Sequence, residues 1–144
     1  YVGWDSIPLF DMRIRGGEVS VLAFDIYIDA ERIPTILDLG ATVNLMNRRA
    51  ARILGVPVRR PREILDVWGV SGKAPVLTEL HVTWLEIEDM HWRRRIFFIG
   101  DFHVFEALEY NTRPLAIAGS SFFKERDFII DFAEKRLLVK SRRK

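Results

Sequence analysis

The residues with the most chemical potential lie in Ile36-Leu37-Asp38-Leu39-Gly40-Ala41-Thr42-Val43, where an apolar run meets a carboxylate, a glycine and then small residues. A carboxylate is a general base when ionised and a general acid when protonated. Asp38 closes a stretch whose aliphatic and β-branched side chains predict a buried strand. An ionised carboxylate in a dry interior loses hydration worth on the order of several kcal/mol, so the pattern predicts a partner for Asp38. Asp131 is the other acid in a strongly apolar run, Phe128-Ile129-Ile130-Asp131-Phe132, but no glycine follows it two positions on.

Other chemistries lack their residues. The chain has no cysteine, which excludes disulfides, thiolate metal sites and cysteine nucleophiles. His81, His91 and His103 are far apart, without the i, i+4 spacing of a helical zinc pair, and no acid stands at metal-ligand spacing from them. There is no phosphate-binding Gly-x-x-x-x-Gly-Lys loop, no dinucleotide fingerprint and no nucleophile elbow. Neither a metal nor an organic cofactor is expected.

The elements that must position Asp38 are mostly strands. Ile7 to Ile14 and Ser20 to Ile28 predict a hairpin around Gly16-Gly17, and Ile33 to Leu37 returns after the polar Asp29-Ala30-Glu31-Arg32. Asn47 is a good N-cap for a helix over 48–54, with Gly55 as its stop and Pro57 beyond. Arg62 to Val70 and a return from Ala74 predict a hairpin whose tip is Trp68-Gly69-Val70-Ser71-Gly72. Leu77 to Ile87 and His91 to Ile99 pair around Glu88-Asp89. Asp101 to Arg113 reads as a loop with room for one helical turn. Leu115 to Gly119 is a short strand, followed by a helical turn over Ser120 to Lys124 and a last hairpin of Phe128 to Phe132 with Arg136 to Val139. Short strands at regular turn spacing predict an all-β, closed, barrel-like architecture with one short helix.

The length of 144 residues suits one domain over 1–144, with a core of about 7–139 and a basic tail at 140–144. With 49% hydrophobic and 29% charged residues the chain has the balance of a globular protein. Its 22 basic and 20 acidic side chains leave a net charge of +2, so no nucleic-acid partner is expected. The basic clusters Arg59-Arg60-Pro61-Arg62, Arg93-Arg94-Arg95 and Lys140 to Lys144 read as solvated edges. No apolar run approaches the roughly 20 residues of a membrane span. The chain begins at Tyr1 without an initiator Met, which leads us to expect an excised or processed domain with an anchoring or targeting segment outside it.

Taken together, three pieces resemble the retropepsin-like (retroviral-type) aspartic proteases, especially bacterial members. Ile36 to Val43 is similar to that family's active-site loop, Trp68 to Gly72 stands where the family has its flap tip, and Leu115-Ala116-Ile117-Ala118-Gly119 resembles its apolar-apolar-Gly element. The resemblance implies one lobe of a retropepsin-type fold per chain, with Asp38 catalytic and Leu39, Gly40, Ala41 and Thr42 forming the active-site loop. Trp68, Gly69, Val70, Ser71 and Gly72 would bind substrate, and Ile117, Ala118 and Gly119 would support the loop. One such Asp per chain implies a homodimer that hydrolyses peptide or protein substrates without a cofactor. A bacterial periplasmic or membrane-associated setting is expected rather than the cytoplasm. Leu39 departs from the family's Thr or Ser at that position and has no donor or acceptor for a hydrogen bond across the dimer axis. Two readings therefore stand: an aspartic endopeptidase, and a non-catalytic peptide-binding or dimerisation module on the same fold.

Overall fold

A computed structural model describes residues 2–56, 64–65, 74–75, 78–100, 102–108, 110 and 112–141. The strands are β1 (Trp4–Pro8), β2 (Phe10–Ile14), β3 (Val19–Ile28), β4 (Glu31–Leu37), β5 (Asn44–Met46), β6 (Ile64–Leu65), β7 (Ala74–Pro75), β8 (Thr78–Ile87), β9 (Met90–Ile99), β10 (Ala116–Ala118), β11 (Phe128–Asp131) and β12 (Arg136–Lys140). Two short helices, α1 (Arg48–Ile53) and α2 (His103–Ala107), and 3-10 turns at Arg15–Gly17 and Ser120–Phe123 complete the described elements.

Among the described residues the main sheet runs β2-β3-β4-β10-β5-β9-β8, and β8 pairs back to β3 through Tyr27 and Glu86. Six strands, β3 to β8 around that ring, thus close a barrel, with β2 on its flank. Closure leaves the ring without free ladder edges and gives each strand one inward face. The second sheet, β1-β12-β11, is antiparallel throughout.

The expected strand over Ile7 to Ile14 is two strands. Pro8 has no N–H to donate, and the chain changes partners there, from β12 on one side to β3 on the other. Buried Leu9 makes the passage, its N–H donating to Lys135 O at 2.8 Å. The β3–β4 connection is tighter than expected. Asp29 and Ala30 both have positive φ, the geometry a two-residue hairpin loop requires. The helix start is as expected: Asn47 Oδ1 accepts from Ala50 N–H at 2.9 Å, and Gly55 at φ 71° ends α1. A second helix, α2, fills the stretch read as a loop with one helical turn. It buries Phe105 against Phe102 beside β10.

The barrel interior is aromatic around the 3-10 turn that follows β10. Phe24, Trp92, Phe97, Phe122 and Phe123 are all buried, and the Phe122 ring lies 5.4 Å from Trp92 and 5.9 Å from Phe24, centroid to centroid. Each such side chain stabilises the fold by about 1.5–3 kcal/mol through burial. Since two of the five sit on the 3-10 turn after β10, the same burial pins the end of β10 in place.

Candidate active site

β10 lies between two strands that are consecutive in the chain. It runs parallel to β4 (Ala116 opposite Thr35, Ala118 opposite Leu37) and antiparallel to β5 (Ala116 opposite Met46, Ile117 opposite Leu45). The connection 38–43 from β4 to β5 must therefore cross the C-terminal end of β10. This topology carries the loop of Asp38, Leu39, Gly40, Ala41 and Thr42 across the end of the strand that bears Ile117, Ala118 and Gly119, and the loop meets it where Asp38 bonds to Ala118 and Ala41 closes on Gly119.

The crossing is bonded from both sides. Asp38 N–H donates to Ala118 O at 3.0 Å, extending the β4–β10 ladder by a rung. Ser120 N–H donates to Ala41 O at 2.8 Å and Ser121 N–H to Thr42 O at 3.3 Å. Within the loop, Ala41 N–H donates to Asp38 O at 3.2 Å and Gly40 N–H to the Asp38 carboxylate Oδ1 at 3.1 Å. A Cβ on Gly119 would stand 2.4 Å from Val43 O and 2.7 Å from Ala41 O. Gly119 has an ordinary extended backbone (φ −88°), so its need for glycine is one of space. At Gly40 an added Cβ would crowd the Asp38 carboxylate at 3.2 Å.

The expectation that burial continues through Asp38 is corrected for the single chain. The burial of β4 ends at Ile36, Leu37 is half-buried, and Asp38, Leu39, Gly40 and Thr42 are exposed while Ala41 is buried. An apolar run predicts burial only while the strand stays in the sheet, and the chain leaves the barrel at Asp38. In a single chain the carboxylate is exposed and accepts a backbone N–H, so no second charge is needed to offset desolvation there. Leu39, 37% exposed, offers water an apolar side chain directly beside it.

Two asparagines three residues apart hold the ends of β10. Asn47, the expected helix cap, also accepts from Leu115 N–H (3.1 Å) and donates to Arg113 O (2.6 Å) and Tyr110 O (3.1 Å), fixing where β10 begins. Asn44, 2% exposed, accepts from Gly119 N–H through Oδ1 (3.0 Å) and donates through Nδ2 to Ile96 O on β9 (3.1 Å). Sequence reading passed over Asn44. The signal was a lone amide in the apolar stretch Thr42 to Met46, which must find partners if buried. Buried Arg95 adds a further tie: its Nε donates to Phe122 O at 2.8 Å, with the guanidinium 5.1 Å from the Trp92 ring centre.

The expected flap residues Trp68, Gly69, Val70, Ser71 and Gly72 lie outside the described residues. β6 and β7, which lead toward them, pair antiparallel, Leu65 opposite Ala74. His81 lies 3.0 Å from Glu79 and His91 3.8 Å from Glu86, both on the surface of the β8–β9 hairpin. Among the described residues no group of three or more His, Asp or Glu side chains is gathered as a metal site. No described helix is long and apolar enough to cross a membrane.

No family model matches the sequence, and no curated protein does. Solved structures do. A retropepsin-like aspartic protease from Rickettsia conorii matches with a TM-score of 0.60 at 16% identity, covering 96% of this chain and 91% of its own. The retroviral protease-like domain of Ddi1 from Leishmania major matches with a TM-score of 0.62 at 20% identity, covering 85% of this chain and 90% of its own. At these identities the likeness speaks for the fold. The chain has the retropepsin-like fold.

Proposed function

We propose that this chain is an aspartic endopeptidase whose active site forms between two copies, with Asp38 facing Asp38 across a two-fold axis. The observation that carries the reading is the Asp38 loop. Its backbone is bonded to residues 118–121, while its carboxylate is presented to the outside. Two carboxylates brought together at an axis cannot both ionise, so the pair holds one proton. The ionised member takes a proton from a water whose oxygen attacks the peptide carbonyl carbon, and the protonated member gives its proton to the carbonyl oxygen. Collapse of the tetrahedral intermediate breaks the C–N bond as the leaving nitrogen takes a proton from one carboxyl and a hydroxyl of the intermediate returns its proton to the other, which leaves a carboxylic acid, an amine and a pair that again holds one proton. Residues Trp68 to Gly72 are assigned to a flap that covers an extended substrate.

Exposure of Asp38 and Leu39 in one chain fits this reading, because pairing of two loops supplies the desolvation that one chain lacks. Leu39 meeting its symmetry mate would bury the part of its side chain that one chain leaves in water. The test is cleavage of an unbiased peptide library across pH. Cleavage that peaks in mild acid and falls on both sides is expected, since the pair works with one proton. Asp38→Asn should remove it, and persistent cleavage by that variant overturns the assignment. The second reading, a non-catalytic peptide-binding or dimerisation module, is favoured by the lack of a hydroxyl at Leu39. That module would dimerise or bind peptides, yet show no Asp38-dependent cleavage at any pH.

A further inference from the structure

We infer that Asn44 is the positioning residue of the Asp38 loop, setting through one buried amide where the carboxylate stands. The inference rests on the assignment of Asp38 as catalytic. Every backbone bond that the loop 38–42 makes to the rest of the described chain ends on residues 118–121. The place of Asp38 is thus inherited from the place of that segment. Gly119, at its centre, approaches the loop so closely that no side chain fits, and hence has none with which to anchor itself. Its N–H is held by Asn44 Oδ1, and the same amide's Nδ2 is held by Ile96 O on β9.

Asn44 therefore links three strands of the barrel at the site's end: its own β5, the end of β10 and β9. The chemistry fits an amide closely, because the two neighbours demand an acceptor and a donor from one short side chain. A leucine would leave both Gly119 N–H and Ile96 O unsatisfied in a dry place. An aspartate keeps the shape and the acceptor but, when ionised, has no donor for Ile96 O. When protonated it has both. Leu39 provides no hydroxyl to brace the loop, so bracing from within the chain gains weight.

The experiment compares wild type, Asn44→Leu and Asn44→Asp by residue-resolved amide hydrogen exchange. The amides followed are Asp38, Ser120 and Ser121, with Leu85 and Trp92 in the β8–β9 hairpin as controls. Exchange at the three loop-facing amides should accelerate about tenfold or more in Asn44→Leu while the controls hold. In Asn44→Asp the acceleration relative to wild type at the same pH should shrink as pH falls and the new carboxyl takes up a proton. Cleavage should show lower kcat at unchanged KM in both variants, with the same recovery of Asn44→Asp in acid. Unchanged exchange at 38, 120 and 121 overturns the inference. So does uniform acceleration that includes the controls, or failure of both variants to fold, since either marks a general packing role. If wild type shows no Asp38-dependent cleavage, the endopeptidase assignment falls, and the exchange arm still decides whether Asn44 sets the loop.

Discussion

Asp38 and Asp131 make a controlled pair within one molecule. Each ends an apolar run, and each carboxylate Oδ1 accepts a backbone N–H just ahead, from Gly40 at 3.1 Å and from Glu134 at 3.0 Å. Their surroundings differ. Asp131 opens the β11–β12 hairpin opposite Arg136, next to Phe132, which is 70% exposed, so its turn is set by its own neighbours. Asp38 opens a crossing whose backbone is bonded to a segment some eighty positions away, behind which stand Asn44, Phe122 and Arg95. A side chain capping its own turn is common and local. What distinguishes a site is that distant strands converge to hold it, as the crossover does for Asp38.

The largest expected difference between the two is in cleavage. Asp38→Asn should lower turnover by roughly a thousandfold or more, the scale seen when a group of the reacting centre is removed. Asp131→Asn should leave it within about twofold, since an amide oxygen still accepts from Glu134 N–H. Equal losses would mean that the crossover does not single out its carboxylate.

Next in size is the stability of the crossing. Gly119→Ala should destabilise the protein by about 3 kcal/mol in urea unfolding, because the added methyl meets the backbone carbonyl oxygens of Val43 and Ala41, and the second can move only by breaking its bond from Ser120 N–H. A change below about 1 kcal/mol would show that the crossing is slacker than its contacts indicate.

That prediction also marks where sequence reading succeeded and where it stopped. The short strand that closes on Gly119 follows from its apolar run, whereas the space that Gly119 leaves is set by Ala41 and Val43, far away in the chain. The cap Asn47 and the stop Gly55 follow from local rules of φ and hydrogen bonding. So do the β2–β3, β3–β4 and β8–β9 hairpins, each closed by a short turn. Asn44 shows in the sequence only as a lone amide in an apolar stretch, and its partners were not legible, because they lie 75 and 52 residues away and nothing nearby in sequence names them. The exposure of Asp38 was misread for a related reason. Hydrophobic neighbours tell which strand is buried, but the point where a chain leaves its sheet depends on the strands beside it. The division at Pro8 was written in the sequence as a missing donor, yet its meaning needed the second sheet.

A smaller effect is expected at Leu39. Leu39→Thr places a hydroxyl where the resemblance implies a brace between two loops, and one added hydrogen bond is worth about 1 kcal/mol. If the paired-loop assignment holds, the dimer dissociation constant should fall by about fivefold, or turnover should rise by a similar factor. Sedimentation and steady-state kinetics read the two separately. Loss in both would identify Leu39 as an adapted apolar brace, whose burial outweighs the bond.

The smallest effect sharpens the contrast from the hairpin side. Lys135, at φ 53°, holds a left-handed conformation that is strained for a side-chain-bearing residue by about 1 kcal/mol, and Lys135→Gly relieves it. The same change frees the unfolded backbone, at a cost of about 0.5–1 kcal/mol, and removes an exposed ion pair with Asp11 worth less than about 1 kcal/mol. These terms nearly cancel, so unfolding should shift by no more than about 0.5 kcal/mol. A Cβ taken from the Asp131 turn should therefore go almost unnoticed, while one added beneath the Asp38 turn should not. The asymmetry follows from contact: Lys135 projects toward water, whereas position 119 is pressed against the loop that carries Asp38.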